Sequence, residues 1–310
     1  SSRCRPKKGA PCHSGAQRGR LHGGFALQRA GMSGNGEPSP KKRRSCEVMD
    51  KNLSGMVAIV TGSSSGVGAA CVDALAKRGC DVVVNYSSSK DLAEAVGERC
   101  RAHGVRALVV QADVSKEDEC RRMVEETVAN LGRIDLLVNN AGTTKFCAHA
   151  NLDGLTSEDF TKIYQTNTVS AFSMIKFCTP HMRKAGVGRI VNVASHAGVY
   201  HTLGSSIAYT SSKAALVAMT KALAKALGPV IRLNVICPGF IEGDWLKKGL
   251  GEERYDNIKT TLEEKLPGGA VSNPDLVAEN VLWLLTAAPN ITGEAVVMDA
   301  GVGLMIGPAL

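Results

Sequence analysis

From position 56 onward, seven short and almost continuously apolar runs alternate with amphipathic stretches. The runs are MVAIVT (56–61), DVVVNY (81–86), RALVVQAD (106–113), the start of IDLLVNNAG (134–142), RIVNVAS (189–195), IRLNVIC (231–237) and EAVVMDA (294–300). Between them lie helical patterns at 68–78, 91–104 and 117–132, around 158–184, from Tyr209 to 227, and one ending near Thr286. A strand with one face in water alternates apolar and polar residues, whereas these runs must be covered on both sides. Strict β-α alternation places the strands parallel and sends the crossover helices to the two faces. The reading is one α/β domain over 51–310, built on a doubly wound parallel sheet of about seven strands.

Residues 1–50 have another texture. They hold eleven Lys or Arg against three Asp or Glu, while 51–310 hold 26 of each sign. The formal charge of +8 therefore belongs to the tail. The balanced body offers no basic face for nucleic acid. Rich in Gly, Ser, Pro, Arg and Lys and without periodicity, the tail reads as disordered, because it cannot bury enough apolar surface to offset its ordering entropy. It lacks acids before Glu37 and contains PKKRR (40–44), so an organelle or nuclear address stands beside the cytoplasmic reading. No run of 18 apolar residues suggests a membrane span. Seven Cys in the body, without CxxC or zinc spacing, fit buried thiols in a reducing compartment, and no metal site is expected.

TGSSSGVG (61–68) joins the first strand to the first helix. Here Gly62, Gly66 and Gly68 permit a sharp turn and close approach of a phosphate, which the free N–H groups of Ser64, Ser65, Val67 and the helix start can meet. This is a dinucleotide cradle of TGxxxGxG spacing on a Rossmann-like fold. At the end of the second strand an NAD site usually presents an acid to the ribose 2′-hydroxyl. Here the chain reads Asn85-Tyr86-Ser87-Ser88-Ser89-Lys90, with no acid before Asp91. Hydroxyls and a lysine suit a 2′-phosphate, so NADP(H) is favoured over NAD(H), although Ser65 stands where many NADP enzymes place a basic residue.

TGSSSGVG, NNAG (139–142), Ser195 and YTSSK (209–213), in that order, closely resemble the short-chain dehydrogenase/reductases. The likeness covers 52–310. Asp113-Val114, Asn167 in IYQTNTVSAF, Pro238-Gly239, ITG (291–293) and MDAG (298–301) match further family motifs. The nearest types are 3-oxoacyl-thioester reductases and sugar or polyol dehydrogenases. The resemblance implies catalytic roles for Asn167, Ser195, Tyr209 and Lys213. It also implies cofactor contacts from Asp113, Val114, Asn140, Ala141, Gly142, Tyr209, Lys213, Pro238, Gly239 and Ile241, besides the glycine loop and Ser87. Subunit pairing through the helices at 158–184 and 209–227 implies a homodimer or homotetramer. Gly243 stands where many members have a cofactor-touching Thr. Ser195 and Tyr209 are 14 apart, one more than is common, and the extra residue is placed in 199–205.

A carbonyl reductase must deliver a hydride to carbon and a proton to oxygen. A free phenol, with a pKa of about 10, is too weak an acid–base group at neutral pH. A cation one turn along the helix is expected to lower that value, so Lys213 would activate Tyr209 as general acid in reduction and base in oxidation. Ser195 would hydrogen-bond the substrate oxygen. By the resemblance, Lys213 also holds the cofactor ribose and Asn167 orders a relay water. The function read is hydride transfer between NADP(H) and a small carbonyl or secondary alcohol. An NAD-dependent sugar or polyol dehydrogenase is one alternative, and a non-catalytic NADP(H)-binding regulator another. Specificity should lie between about Glu242 and Ser272, where Trp245, Leu246, Leu250, Tyr255 and Leu262 suit a lid with an apolar inner face. His196 and His201 read as loop or pocket residues, Cys147 and Cys237 as buried thiols, and Met219 as core or interface.

Overall fold

In a computed structural model, residues 52–201 and 203–305 are described. The tail, with its expected disorder and possible addresses, lies outside them. All seven expected strands form, as β1 (Val57–Val60), β2 (Asp81–Tyr86), β3 (Ala107–Gln111), β4 (Leu136–Asn139), β5 (Gly188–Val193), β6 (Ile231–Pro238) and β7 (Ala295–Met298). They make one parallel sheet in the order β3-β2-β1-β4-β5-β6-β7. In register, Ile59 lies between Val83 of β2 and Leu137 of β4. The chain winds outward from β1 to β3, then restarts at β4 on the other side of β1. That reversal opens a crevice beyond the carboxyl ends of β1 and β4, where ligands of such sheets bind.

The two-sided burial is explicit. Ala58, Val60, Leu136 and Val138 enter one core, while Val57, Ile59 and Leu137 enter the other. Successive side chains of a strand point to opposite faces, so an apolar layer on each face demands an unbroken apolar run. Helices α1 (Gly66–Ala76), α2 (Lys90–Arg101) and α10 (Pro274–Thr286) supply Val72, Val96 and Val281 to the first core. On the opposite face α3 (Glu117–Leu131), α5 (Ser170–Ala185) and α7 (Ile207–Leu227) supply Met123, Met174 and Leu227.

The long helical pattern at 158–184 is not one uniform helix. A capping box starts α4 (Ser157–Tyr164): Thr156 Oγ1 accepts from Asp159 N at 3.2 Å, and Asp159 Oδ2 accepts from Thr156 N at 2.9 Å. A π-helical turn, Gln165–Val169, then joins it to α5. Such turns insert an extra residue into a helix and gather at functional sites, and this one carries Asn167. Helix α7 begins two residues before Tyr209, at Ile207, because Ser206 caps it by accepting from Tyr209 N at 3.2 Å. Short helix α6 (Ala197–Tyr200) follows Ser195, and His201 ends it with φ 63°.

The segment after β6 folds as α8 (Asp244–Leu250) and α9 (Glu252–Lys265). Its two ends are pinned together: Glu242 N donates to Ser272 O at 2.8 Å and Ser272 N to Phe240 O at 3.0 Å. No helix among the described residues is long and apolar enough to cross a membrane. No metal-holding cluster of His, Cys, Asp or Glu occurs among them either.

Candidate active site

The glycine loop is held by hydrogen bonds from three strands. Asn85, at the end of β2, accepts from Gly62 N through Oδ1 at 2.9 Å and donates through Nδ2 to Ala112 O at 3.0 Å. Ser63 Oγ accepts from Asn85 N at 2.9 Å and donates to Val60 O at 2.7 Å. From β4, Asn140 Nδ2 donates to Thr61 O and Gly62 O, each at 3.0 Å. Thr61 Oγ1 accepts from Asn140 N at 3.0 Å and Ala141 N at 3.1 Å. Asn85, Thr61 and Ser63 were not singled out as site residues by sequence reasoning. Thr61 and Ser63 do lie within the TGSSSGVG stretch, but Asn85 has no signal beyond its place at a strand end, where a polar residue is common for many reasons.

The backbone here has no room for side chains. Gly62 has φ +60°, and a Cβ on it would lie 2.9 Å from Ala141 Cα. A Cβ on Gly68 would meet Gly62 O, with Asn140 Nδ2 at 2.6 Å. Gly66, at φ +54°, faces open space. Ser65, the N-cap of α1, makes no side-chain capping bond, and the first turn of α1 has no acid. Amides not claimed by a cap, at the positive end of a helix beside an open glycine face, fit a dinucleotide phosphate.

The other expected cofactor residues fall at the same edge of the sheet. Ser87 follows β2 and is exposed, and its backbone carbonyl accepts from Gln111 Nε2 at 3.0 Å. Asp113 and Val114 follow β3; Asp113 Oδ1 accepts from Ser115 N at 3.0 Å, and Val114 is buried. Asn140, Ala141 and Gly142 follow β4. Pro238 ends β6, Gly239 N donates to Met298 O at 3.0 Å, and Ile241 bridges to Ser272.

Next to this cradle the four expected catalytic residues meet. The π turn buries Asn167, whose Oδ1 accepts from Thr143 N at 2.7 Å. Its Nδ2 donates to Thr143 O at 3.0 Å and to Ser212 Oγ at 2.9 Å. Asn167 thus ties the segment that follows β4 to α7. Lys213 is 4% exposed; its Nζ donates to Val193 O at 2.8 Å and sits 5.7 Å from the Tyr209 ring centroid. A Cβ on Gly142 would lie 3.4 Å from Asn167 Oδ1 and 3.5 Å from Lys213 Nζ. Ser195 follows β5, and its Oγ accepts from Ala197 N at 3.2 Å.

The electrostatics differ from the expectation. Burial pushes the Tyr209 phenol up to about 12, against a hydrogen bond from Ser195 that acts the other way. Burial likewise brings Lys213 down to about 8. The Lys213 ammonium donates to the Val193 carbonyl, and loss of water, not the Lys213 charge, dominates the Tyr209 shift. A testable consequence follows from Lys213. Below pH 8 the amine is charged folded and unfolded, and the fold bears the whole cost of burying a cation. Between about 8 and 10.5 the native amine loses its proton before the unfolded one does, so this cost fades and stability rises with pH. Relative to Lys213→Met, the wild type should gain on the order of 5 °C in Tm between about pH 7 and pH 10. Parallel melting curves check this, and a constant difference in Tm would contradict it.

Neighbouring residues take structural parts. His196 is half-buried, with Nδ1 3.7 Å from Asp299 Oδ2; loss of water lowers its pKa while Asp299 opposes that. Cys237 is fully buried and its thiol is pushed up to about 11, mainly by burial, which makes it a poor nucleophile. Cys147 is only half-buried, contrary to expectation, with Sγ 3.3 Å from Asn151 O. Met219 packs partly buried against Leu216 and Val235. Trp245, from α8, reaches the site with its ring 6.1 Å from that of Tyr209 and 5.5 Å from that of Phe146. Phe146 was not anticipated, since its loop carries no periodic signal.

Comparison with known proteins places the chain in a family. The family model for short chain dehydrogenases matches residues 56–253. The granaticin polyketide synthase ketoacyl reductase 2 of Streptomyces violaceoruber is 38% identical over 249 residues, 80% of this chain and 96% of the relative. The 3-oxoacyl-acyl-carrier-protein reductase FabG of Staphylococcus epidermidis is 34% identical over 246 residues, 79% of this chain and 97% of the relative. Among solved structures, a short-chain dehydrogenase/reductase from Burkholderia xenovorans superposes with TM-score 0.74 at 32% identity, over 80% of this chain and 98% of the other. An NAD+-bound xylitol dehydrogenase gives 0.73 at 28% identity, over 81% of this chain and 100% of the other. The chain belongs to the short-chain dehydrogenase/reductase family and is an NAD(P)-dependent oxidoreductase acting on a small-molecule substrate.

Proposed function

We propose that the protein is an NADP(H)-dependent ketoreductase that interconverts a carbonyl compound and its secondary alcohol, in the manner of the 3-oxoacyl-thioester reductases. One observation carries the reading: Tyr209, Ser195 and Lys213 meet within a buried site next to an open glycine cradle. When bound, the cofactor supplies the hydride, and the chain's residues do the rest. The loop residues Gly62, Ser64, Ser65, Gly66, Val67 and Gly68 hold the phosphates. Asp113, Val114, Asn140, Ala141, Gly142, Pro238, Gly239 and Ile241 border the remainder. Tyr209, protonated across the neutral range, gives its proton to the substrate oxygen in reduction. Ser195 donates a hydrogen bond to that oxygen as negative charge develops on it. Lys213 holds the ribose, and Asn167 fixes the 143 backbone against α7. Oxidation of NADPH by a panel of ketones and ketoacyl thioesters tests the reading. Tight cofactor binding without turnover of any carbonyl would favour the regulator.

The preference for the 2′-phosphate rests on the turn after β2. Ser87, Ser88, Ser89 and Lys90 are all exposed, and Ser89 leaves its hydroxyl unused as a cap of α2. Ser87→Asp would place a carboxylate where the phosphate docks. Hydrogen bonds to charged groups contribute about 1.5–3 kcal/mol, so kcat/KM with NADPH should fall about 10- to 100-fold while that with NADH changes little. Comparable use of both cofactors by the wild type would reject the preference. The NAD-dependent polyol dehydrogenase reading, matching the xylitol dehydrogenase in fold, would then lead.

Homo-oligomerisation through α4, α5 and α7 is part of the proposal, supported by the exposed rings of Phe160, Tyr164 and Phe172 on the first two of these helices. The seven described cysteines are all free thiols, which supports a reducing compartment such as the cytoplasm.

A further inference from the structure

Aromatic residues are scarce in this chain, 4% of the total with only two Trp. Three of them nevertheless lead outward from the proton donor. Tyr209 and Trp245 lie 6.1 Å apart at 46°, and Trp245 and Phe146 lie 5.5 Å apart at 55°. The rings are splayed rather than stacked, and the indole, though beside the reacting centre, is 49% exposed. Its placement is set from below: a Cβ on Gly249 would run into the Phe146 ring, so only glycine lets α8 press down on Phe146. Beyond Phe146 opens a cavity of about 500 Å³, within the range of small-molecule pockets. Leu203, Leu250, His149 and Arg254 line it, with Gly204, where a methyl would lie 3.5 Å from Tyr209 Cδ1. The cavity and the Tyr209 ring therefore share a wall.

We infer that Trp245 is a specificity-determining residue that selects substrates whose carbonyl belongs to, or adjoins, a flat ring. This rests on the ketoreductase reading above and narrows its substrate class. A flat ring docked against the exposed indole can pair with it edge-to-face or offset, the arrangements that the quadrupoles of such rings favour. An open chain of the same size gains only the burial of area. The difference between aromatic pairing and area alone corresponds to a preference of about two- to tenfold.

The test compares 2-tetralone with 2-decanone, of equal carbon count, in wild type, Trp245→Phe and Trp245→Ala. The ratio of kcat/KM for the ring ketone over the open-chain ketone should be retained by Phe and fall about two- to tenfold in Ala. A ratio equal in wild type and Trp245→Ala overturns the inference, because a tryptophan that merely closes the lid would alter both substrates alike. Binding is read separately in Trp283→Phe. Trp283 lies on α10, outside the site, so that variant leaves Trp245 as the sole tryptophan. Its emission should be quenched by 2-tetralone and not by 2-decanone. Absence of quenching overturns the inference even if Trp245→Ala fails to fold. Quenching without oxidation of NADPH or NADH by any carbonyl keeps the ring site and rejects the ketoreductase reading.

Discussion

Tyr209→Phe should lower kcat by about a thousandfold while leaving cofactor affinity within a few fold, because general acid–base groups contribute about 10²–10⁴. The change deletes one oxygen from a site whose ring is otherwise held by its neighbours. Ser206 caps the helix through the Tyr209 backbone, and Trp245 lies against the ring, and neither contact uses the hydroxyl. The fold should therefore survive, and burying a phenyl ring in place of a phenol removes a polar group from a dry setting. Single-turnover oxidation of NADPH, with cofactor binding measured by fluorescence, separates the two quantities. Retention of more than about a tenth of wild-type kcat would show that another group donates the proton.

Gly68→Ala should abolish cofactor binding and destabilise the protein together. The added methyl would meet Gly62 O, with Asn140 Nδ2 at 2.6 Å and Ser63 Cα at 2.8 Å. Two of these neighbours are backbone, and Asn140 is committed to Thr61 O and Gly62 O, so none can yield without opening the loop. Overpacking of this kind costs about 1–3 kcal/mol, a loss of roughly 2–10 °C in Tm for a domain of this size. Affinity for NADPH should fall at least about a hundredfold, since the phosphate cradle is the part displaced. Gly66→Ala is the contrasting case. A methyl there meets nothing within 4 Å, so the fold bears mainly the left-handed φ, a cost of about 1 kcal/mol. Under the proposed cofactor site its NADPH binding should nevertheless weaken, because a phosphate would approach through that open space. Equal Tm losses in the two variants would contradict this account. Calorimetry and NADPH titration decide it.

Much of this molecule is legible in the chain. The seven strands were readable because a parallel sheet covered on both faces needs unbroken apolar runs, and Val57 and Ile59 facing one core with Ala58 and Val60 facing the other is that requirement in residues. The glycine loop was readable because only glycine tolerates the backbone contacts at Gly62 and Gly68. Tyr209 and Lys213 were readable as a pair because four residues are one helical turn. Each of these signals is local: a period, a backbone conformation, a spacing.

What tertiary structure decided is what depends on residues far apart in the chain. Asn85 became an anchor of the glycine loop only because β2 pairs with β1, which brings its amide to Gly62. Asn167 was expected on a plain helix, but a π turn buries it against Thr143 and Ser212, and no periodicity announces a single inserted residue. The direction of the Tyr209 and Lys213 shifts could not come from their spacing. Spacing speaks for the attraction between two groups, whereas the water removed from each depends on every element packed around the site, and here that loss prevails. The meeting of Trp245, Phe146 and Tyr209 likewise joins three separate segments, and sequence alone has no term for the distance between them.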